Sequence, residues 1–251
     1  MLDYDREAVL YDATRGGVPR AEAAAAALLG LVPPSARTLL DIGCGTGLVT
    51  GRLIRPGLRV FGADGSHGMA RKAVERTGGR VVLGDVRRLP LRDAAVDAVS
   101  AIWLLHLVAE ASAVVAEAAR VLRPGGVFIT TVDKDAGHDV GADIDAVLAP
   151  HRSFDAAFDR ADLIERHAGS CGMRPAGSAR FAGHGQGRTP RSTAEALLAG
   201  RFRSWFGDGG ATAGQLAAEL ATLPGQDVRR AEPSYVLRAF RKEGRPQSPG
   251  R

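Results

Sequence analysis

A glycine-rich turn constrains this chain more than any other feature. The run LLDIGCGTG at residues 39–47 sets an apolar, strand-like segment directly before Gly43, Gly45 and Gly47. Glycines so placed let the backbone turn tightly with no Cβ in the way. A ligand can then lie against main-chain amides at the N-terminus of the following helix. The spacing is narrower than the G-x-G-x-x-G fingerprint that a dinucleotide requires, which argues against a nicotinamide-dependent oxidoreductase. Asp41 stands inside the motif. An acid at that point suits a cationic group such as an α-ammonium and is ill suited to a pyrophosphate.

Around this turn, strand and helix signals alternate as a parallel sheet demands. Strands are expected at 38–42, 58–63, 80–83, 96–102 and 127–132, with helices at 21–31, 47–55, 66–76, 111–122 and 159–169. Ser66 is the expected N-cap of its helix, and Pro124-Gly125-Gly126 the stop of another. Two further strands, 173–182 and 229–241, would pair at the sheet edge. Between them, 189–223 reads as two helices split by Gly207-Asp208-Gly209-Gly210, an insertion of a length that usually covers a site. The chain therefore reads as α/β: a Rossmann-like, mostly parallel seven-stranded sheet with helices on both faces, an antiparallel edge strand and a helical lid insertion. One domain spans 1–242, with its core at about 35–135 and its lid at about 186–225. Residues 243–251 read as a disordered tail.

Two more acids follow at strand ends. Asp64 closes the second strand, where a carboxylate can accept both ribose hydroxyls. Asp85 closes the third, where it can face an adenine edge. With Asp41 and the glycines they converge on the crevice at the carboxyl ends of parallel strands.

These residues carry a resemblance. The chain resembles the class I S-adenosylmethionine-dependent methyltransferases of the UbiE-like "type 11" group over about residues 39–131. The likeness rests on LLDIGCGTG at 39–47, VFGADGSHGM at 60–69, GDVRRLPLRDAAVDAV at 84–99 with WLLHL at 103–107, and EAARVLRPGGVFIT at 117–130. It implies S-adenosyl-L-methionine as cofactor. Gly43, Gly45 and Gly47 would shape the methionine pocket, with Asp41 holding the ammonium. Asp64 would bind the ribose diol, and Asp85 with the Val86 amide would read adenine. Ile102 and Trp103 would flank the sulfonium and methyl. Tyr11 and Arg15, in YDATRGG at 11–17, resemble the segment that closes over the methionine carboxylate. Gly65 departs from the family, which has a larger residue there to pack on adenine; Met69 could fill that space or be an ordinary core contact.

Composition narrows the acceptor. The net charge is +5 and the sequence pI about 9.7, yet the lysines are only Lys72, Lys134 and Lys242 and only 5% of residues are aromatic. Scattered arginine without a stacking platform does not favour nucleic acid. The chain also lacks the N/D-PPY type signature of many nitrogen-directed nucleic-acid and protein enzymes of this fold. A small-molecule acceptor, with oxygen, nitrogen and carbon all open, is the expectation; a non-catalytic S-adenosylmethionine-binding protein or an RNA or protein methyltransferase is the alternative. Cys44 and Cys171 show no metal-ligand spacing, so no metal is expected. No apolar run approaches the roughly 18 residues of a membrane span, and the polar, acidic start does not resemble a signal peptide. A cytoplasmic monomer or homodimer follows as the expectation.

The acceptor side offers two candidate bases, His106 after the fourth strand and His184 at the root of the lid; each is also explicable as a packing or loop histidine. Asp133 and Lys134 line the site in this fold or serve structure alone. Trp103 fits a core role equally. Arg188, Arg191, Arg201 and Arg203 of the lid read as solvated rather than anion-binding.

Overall fold

The computed structural model describes residues 4–154, 157–200, 202 and 212–244. In chain order these form α1 (Tyr4–Glu7), α2 (Tyr11–Thr14), α3 (Gly17–Leu29), β1 (Thr38–Ile42), α4 (Thr50–Leu53), β2 (Arg59–Asp64), α5 (His67–Thr77), β3 (Val81–Leu83), β4 (Val96–Ala101), α6 (Ala111–Val121), β5 (Leu122–Val132), α7 (Asp143–Leu148), α8 (Ala161–Ser170), β6 (Met173–Ala182), α9 (Pro190–Leu198), α10 (Ala213–Ala221) and β7 (Ser234–Lys242). Short 3-10 turns at Leu105–Leu107, Ala136–His138 and Ala149–His151 lie between them.

The seven strands run in the order β3-β2-β1-β4-β5-β7-β6. β1 to β5 pair in parallel, and β7 runs antiparallel to both β5 and β6. All five residues of β1 are buried, as a central strand covered on both faces requires. The two-residue period of the strand sends Leu40 and Ile42 to one core, with Val114, Ala118 and Ile164 from α6 and α8. Leu39 turns to the other, with Ala24, Ala25 and Leu28 of α3. Asp41 alternates onto the same face as Leu39.

Local chemistry sets the boundaries. Ser66 caps α5 by accepting the Met69 N–H at 3.2 Å, and Gly78 closes that helix at φ +63°. The helix expected over 47–55 shrinks to Thr50–Leu53, because Gly43, Gly45 and Gly47 all hold positive φ and keep the preceding residues out of the right-handed helix. β5 starts at Leu122 rather than 127, and its pairing with β4 shifts register between Val96 and Ala98. β7 starts at Ser234 rather than 229; Pro233, without an N–H, precedes it.

The helices α9 and α10, in the segment expected as a lid, share a small apolar core of Leu197, Leu216 and Leu220 with Ile144 and Leu148 of α7. The Gly207–Gly210 stretch, Arg201 and Arg203, and the tail from 245 lie outside the described residues. Glu243, by contrast, is tied back by its N–H to the Gly172 carbonyl. No helix among the described residues is long and apolar enough to cross a membrane.

Candidate active site

The order of strands reverses at β1, flanked by β2 and β4, and the crevice at its carboxyl end is where ligands bind in sheets of this kind. The three glycines of the turn there serve different ends. A Cβ on Gly43 would come within 2.7 Å of Leu104 Cδ1, and one on Gly47 within 2.8 Å of the Ala73 Cα in α5. Those two allow close packing. A Cβ on Gly45 would meet nothing within 4 Å. Its open face looks onto the crevice.

Hydrogen bonds hold this turn. The Gly45 N–H donates to Asp64 Oδ2 at 2.7 Å, and the Ser66 N–H donates to Asp64 Oδ1 at 2.9 Å. Burial pushes the Asp64 pKa up against these bonds. Asp41 lies deeper: Ser100 donates to its Oδ1 at 2.7 Å and Thr50 to its Oδ2 at 2.6 Å. Burial raises its pKa to about 6, opposed by those two hydroxyls. A cation brought beside it would restore the carboxylate.

The cleft over the turn encloses about 500 Å³, counting its solvent-facing mouth, and is lined by Tyr11, Asp12, Arg15, Arg20, Asp41, Gly43, Gly45, Ile102 and Trp103 among others. The N-terminal segment is fastened over it by Asp12, which accepts from Thr46 Oγ1 at 2.6 Å and from Arg76 Nη2 at 2.7 Å. Arg76 also donates to the Thr46 carbonyl. Tyr11 and Arg15 reach the cleft, with the Arg15 guanidinium 5.8 Å from the Tyr11 ring centroid.

Trp103 holds φ +53° and donates its backbone N–H to Thr131 Oγ1 at 2.8 Å. Its indole meets Phe181 and Tyr235 edge-on, and its Nε1 is buried without a hydrogen-bond partner. The Tyr235 hydroxyl, its pKa pushed up to about 12 by burial, donates to Gln186 Oε1 at 2.6 Å and lies 3.2 Å from His138 Nε2. Of these side chains Trp103 lines the cleft.

The remaining expected residues fall outside the cleft lining. Met69 is buried in the first turn of α5. Asp85 is half exposed and clasped by Arg87, with Nη2 2.7 Å from Oδ2; that contact, with the Arg87 N–H, holds its pKa below the usual carboxylate range. Val86 packs on the rim of one core. His106 is largely buried with its Nδ1 unpartnered, and burial, aided by the Lys134 charge, pushes its pKa down to about 3. His184 is exposed; its carbonyl approaches Gly16, where a Cβ would come within 2.1 Å. Lys134 pairs with Asp135 at 2.7 Å, and Asp133 accepts the Ala161 N–H.

Sequence reading missed three residues. Asp12 had no signal beyond its place in YDATRGG. Arg20 is 7% exposed although it opens an alanine-rich helix, and its guanidinium carbon lies 3.6 Å from the Trp103 ring centroid. Asp145 is 2% exposed and ties the segment before α9 to α7: it accepts from Arg152 Nη2 at 3.0 Å, Arg188 Nη2 at 2.9 Å and the N–H groups of Val140 and Ala142. Arg188 is therefore a buried anchor, not a solvated side chain. Arg191, exposed, pairs with Asp227. Among the described residues no cluster of three metal-ligating side chains occurs.

Residues 40–130 match a family described as methyltransferase domain. An uncharacterized methyltransferase of Mycobacterium bovis is 43% identical over 99 residues, 38% of this chain and 40% of that protein. The chain spans well under two thirds of the length of such relatives. Among solved structures, a chain of the complex between the Haloferax volcanii Trm112 methyltransferase activator and the methyltransferase is similar with TM-score 0.60 and 20% identity, covering 96% of this chain and 98% of that one. Geranyl diphosphate C-methyltransferase from Streptomyces coelicolor, in complex with Mg²⁺, geranyl diphosphate and S-adenosyl-L-homocysteine, gives TM-score 0.52 and 17% identity over 88% of this chain and 77% of that one. These structural likenesses show the fold.

Proposed function

We propose that the chain is an S-adenosylmethionine-dependent methyltransferase, a reading supported by the match of residues 40–130 to a methyltransferase domain, and that it transfers a methyl group to a small-molecule acceptor. The observation that carries this reading is the open face of Gly45 above a buried, hydroxyl-braced Asp41. An amide-lined space beside a buried acid fits an amino-acid ammonium and a nucleoside. The neighbouring fold that holds geranyl diphosphate and S-adenosyl-L-homocysteine together supports a small acceptor.

When bound, the cofactor supplies a methyl group already activated on a sulfonium, so the protein's work is alignment and a dry pocket. Asp41 would hold the ammonium, and Tyr11 with Arg15 would close over the carboxylate. Asp64 retains lone pairs for ribose hydroxyls beyond the two amides it already braces. Asp85 would turn to adenine only by loosening its Arg87 clasp, while the Val86 amide needs no such change. Ile102 and Trp103 would wall the reacting side. For a hydroxyl substrate we favour His106 over the exposed His184 as the proton acceptor; His106 lies outside the cleft lining, so its ring would have to turn to reach the acceptor. Its imidazole stays neutral at working pH, and its Nδ1 has no other partner. So weak a base takes its proton late, once the acceptor atom has begun to bond.

The reading includes one domain over 1–242 followed by a tail at 243–251, a cytoplasmic monomer or homodimer, and no nucleic-acid partner. Calorimetry on the full chain tests it. S-adenosylhomocysteine should bind at micromolar affinity or tighter and NADH should not; the reverse result would end the methyltransferase reading. Transfer of labelled methyl to a panel of phenols, amines and carboxylic acids then identifies the acceptor atom.

A further inference from the structure

Arg20 stands out among the charges around the cleft for being buried without a carboxylate beside it. Asp41 is held by two hydroxyls, Asp12 by Thr46 and Arg76, and Lys134 by Asp135. The buried arginines of the lid root share Asp145. Arg20 is as buried as they are, yet among the described residues no carboxylate forms an ion pair with it. Its guanidinium lies over the Trp103 ring instead. A ring face attracts a cation weakly compared with the cost of burying a charge without a counter-ion. The group is also never deprotonated at working pH, although burial draws its pKa down.

Its position sets it apart from Arg15. Arg15 belongs to the segment fastened over the cleft, the cation available to the cofactor's carboxylate. Arg20 comes from α3 and lies on the indole whose edges meet Phe181 and Tyr235, the wall towards β6 and β7. Its charge is felt by the Tyr235 hydroxyl and by His106, while it lines the same cleft as Gly43 and Gly45. The groups facing it there are Tyr11, Arg15 and Tyr235, none a carboxylate.

A cation buried beside a second cation, at the place where a sulfonium is to be received, needs an anion before the site is electrically balanced. We propose that Arg20 binds an oxyanion of the methyl acceptor, a carboxylate or phosphate, through its planar fork, so that the acceptor is an acidic small molecule rather than a neutral or cationic amine. The inference rests on the methyltransferase reading for the identity of the acceptor, but not for the anion site. A carboxylate or phosphate matches the fork with two parallel hydrogen bonds, and Trp103 beneath it fixes the plane in which the anion must lie.

The test uses the full chain with inorganic phosphate and acetate as probes, against chloride at matched ionic strength. With S-adenosylhomocysteine saturating, both anions should raise the melting temperature of the wild type, and Arg20→Met should weaken the apparent affinity for phosphate at least about tenfold. Affinity for S-adenosylhomocysteine should change less than about threefold, and the unliganded variant should melt at or above the wild type, since an unpaired buried charge has been removed. Arg20→Lys, which keeps the charge but loses the fork, should fall between the two and serves if the methionine variant does not fold. A tenfold loss of S-adenosylhomocysteine affinity in Arg20→Met would assign the residue to the cofactor's carboxylate and overturn the proposal. So would an unchanged phosphate response, a wild type that distinguishes neither anion from chloride, or a sharply lowered melting temperature, which would make the guanidinium a structural element. Should S-adenosylhomocysteine fail to bind the wild type, the methyltransferase reading falls alone; the phosphate comparison without it still decides Arg20.

Discussion

Asp64 Oδ2 accepts the Gly45 N–H at 2.7 Å, so the acid that ends the second strand also fixes the turn that follows the first. Its other oxygen takes the Ser66 N–H at 2.9 Å, at the cap of α5. The residue expected to meet ribose is thus part of the scaffold as well, and its substitution should be read on two scales.

Asp64→Ala should weaken S-adenosylhomocysteine binding ten- to several-hundredfold by calorimetry, from charge-assisted bonds worth roughly 1.5–3 kcal/mol each. It should also lower the unfolding free energy of the free protein by about 1–3 kcal/mol, because two amide donors lose their acceptor. Asp64→Asn, still able to accept one of them, should recover part of the stability. A free protein whose melting is untouched by Asp64→Ala would separate the acid from the turn.

The glycines should fail in different ways. Gly47→Ala drives a Cβ to 2.8 Å from the Ala73 backbone, and helix displacement with left-handed strain should cost about 2 kcal/mol or more in a denaturant melt. Gly45→Ala has room; it should lose only about 1 kcal/mol from its φ while cofactor affinity drops at least tenfold. Equal loss of stability in both would contradict the open face.

His106 makes stability depend on pH with a defined sign. Its pKa is about 6.5 unfolded and about 3 folded. Below pH 6.5 the unfolded chain takes up a proton the folded one refuses, so the contribution is complete above that pH and lost as pH falls towards 3. His138, also pushed down to about 3 by burial, acts in the same direction. Asp41, raised to about 6, acts oppositely: its contribution is present below pH 3.8 and lost as pH rises through 6. His106→Gln should reduce the stability lost between pH 7 and pH 5 by about 1–2 kcal/mol, measured by urea unfolding at each pH.

If the acceptor is a hydroxyl, His106→Ala should lower turnover at least about a hundredfold with cofactor affinity kept, and His184→Ala should leave it near normal. The acid limb of the wild-type pH–rate profile should lie well below 6.5. A limb at 6.5 abolished by His184→Ala would reverse the assignment.

Asp145→Ala should cost about 3–5 kcal/mol, since it leaves Arg152 and Arg188 buried without their shared carboxylate. Thermal melts would show it. A loss below about 1 kcal/mol would mean that the lid root is held by its apolar core instead.

What the sequence made legible was the part whose signals are local. Alternating apolar strands, the glycine turn and the acids at strand ends each announce themselves within a few residues, and β1, β2, β4 and Ser66 as cap are where those signals put them. Arg20 was illegible because its burial is decided by Trp103, far along the chain. Asp145 was illegible for the same reason: nothing near it in sequence reveals that Arg188 will arrive from the other side of β6. The short helix α7 escaped because six residues hold too few turns to show a period. Asp85 looked like a reader of adenine, and only the structure shows Arg87, two residues on, already holding it. At the start of the lid, Arg188 looked like one more solvated arginine among many.

The clasp of Asp12 on Thr46 and Arg76 has a kinetic meaning. These groups are partly exposed, with 23% and 34% of the Asp12 and Arg76 side chains open to solvent, so the fastening contributes little to holding the fold while holding the N-terminal segment that lines the cleft. Weakening it, by salt or by Asp12→Asn, leaves the resting affinity of the pocket much as it was and quickens arrival and departure together. An enzyme whose spent cofactor must leave before the next can enter would then run at a tempo set by ionic strength, with the chemistry itself unchanged.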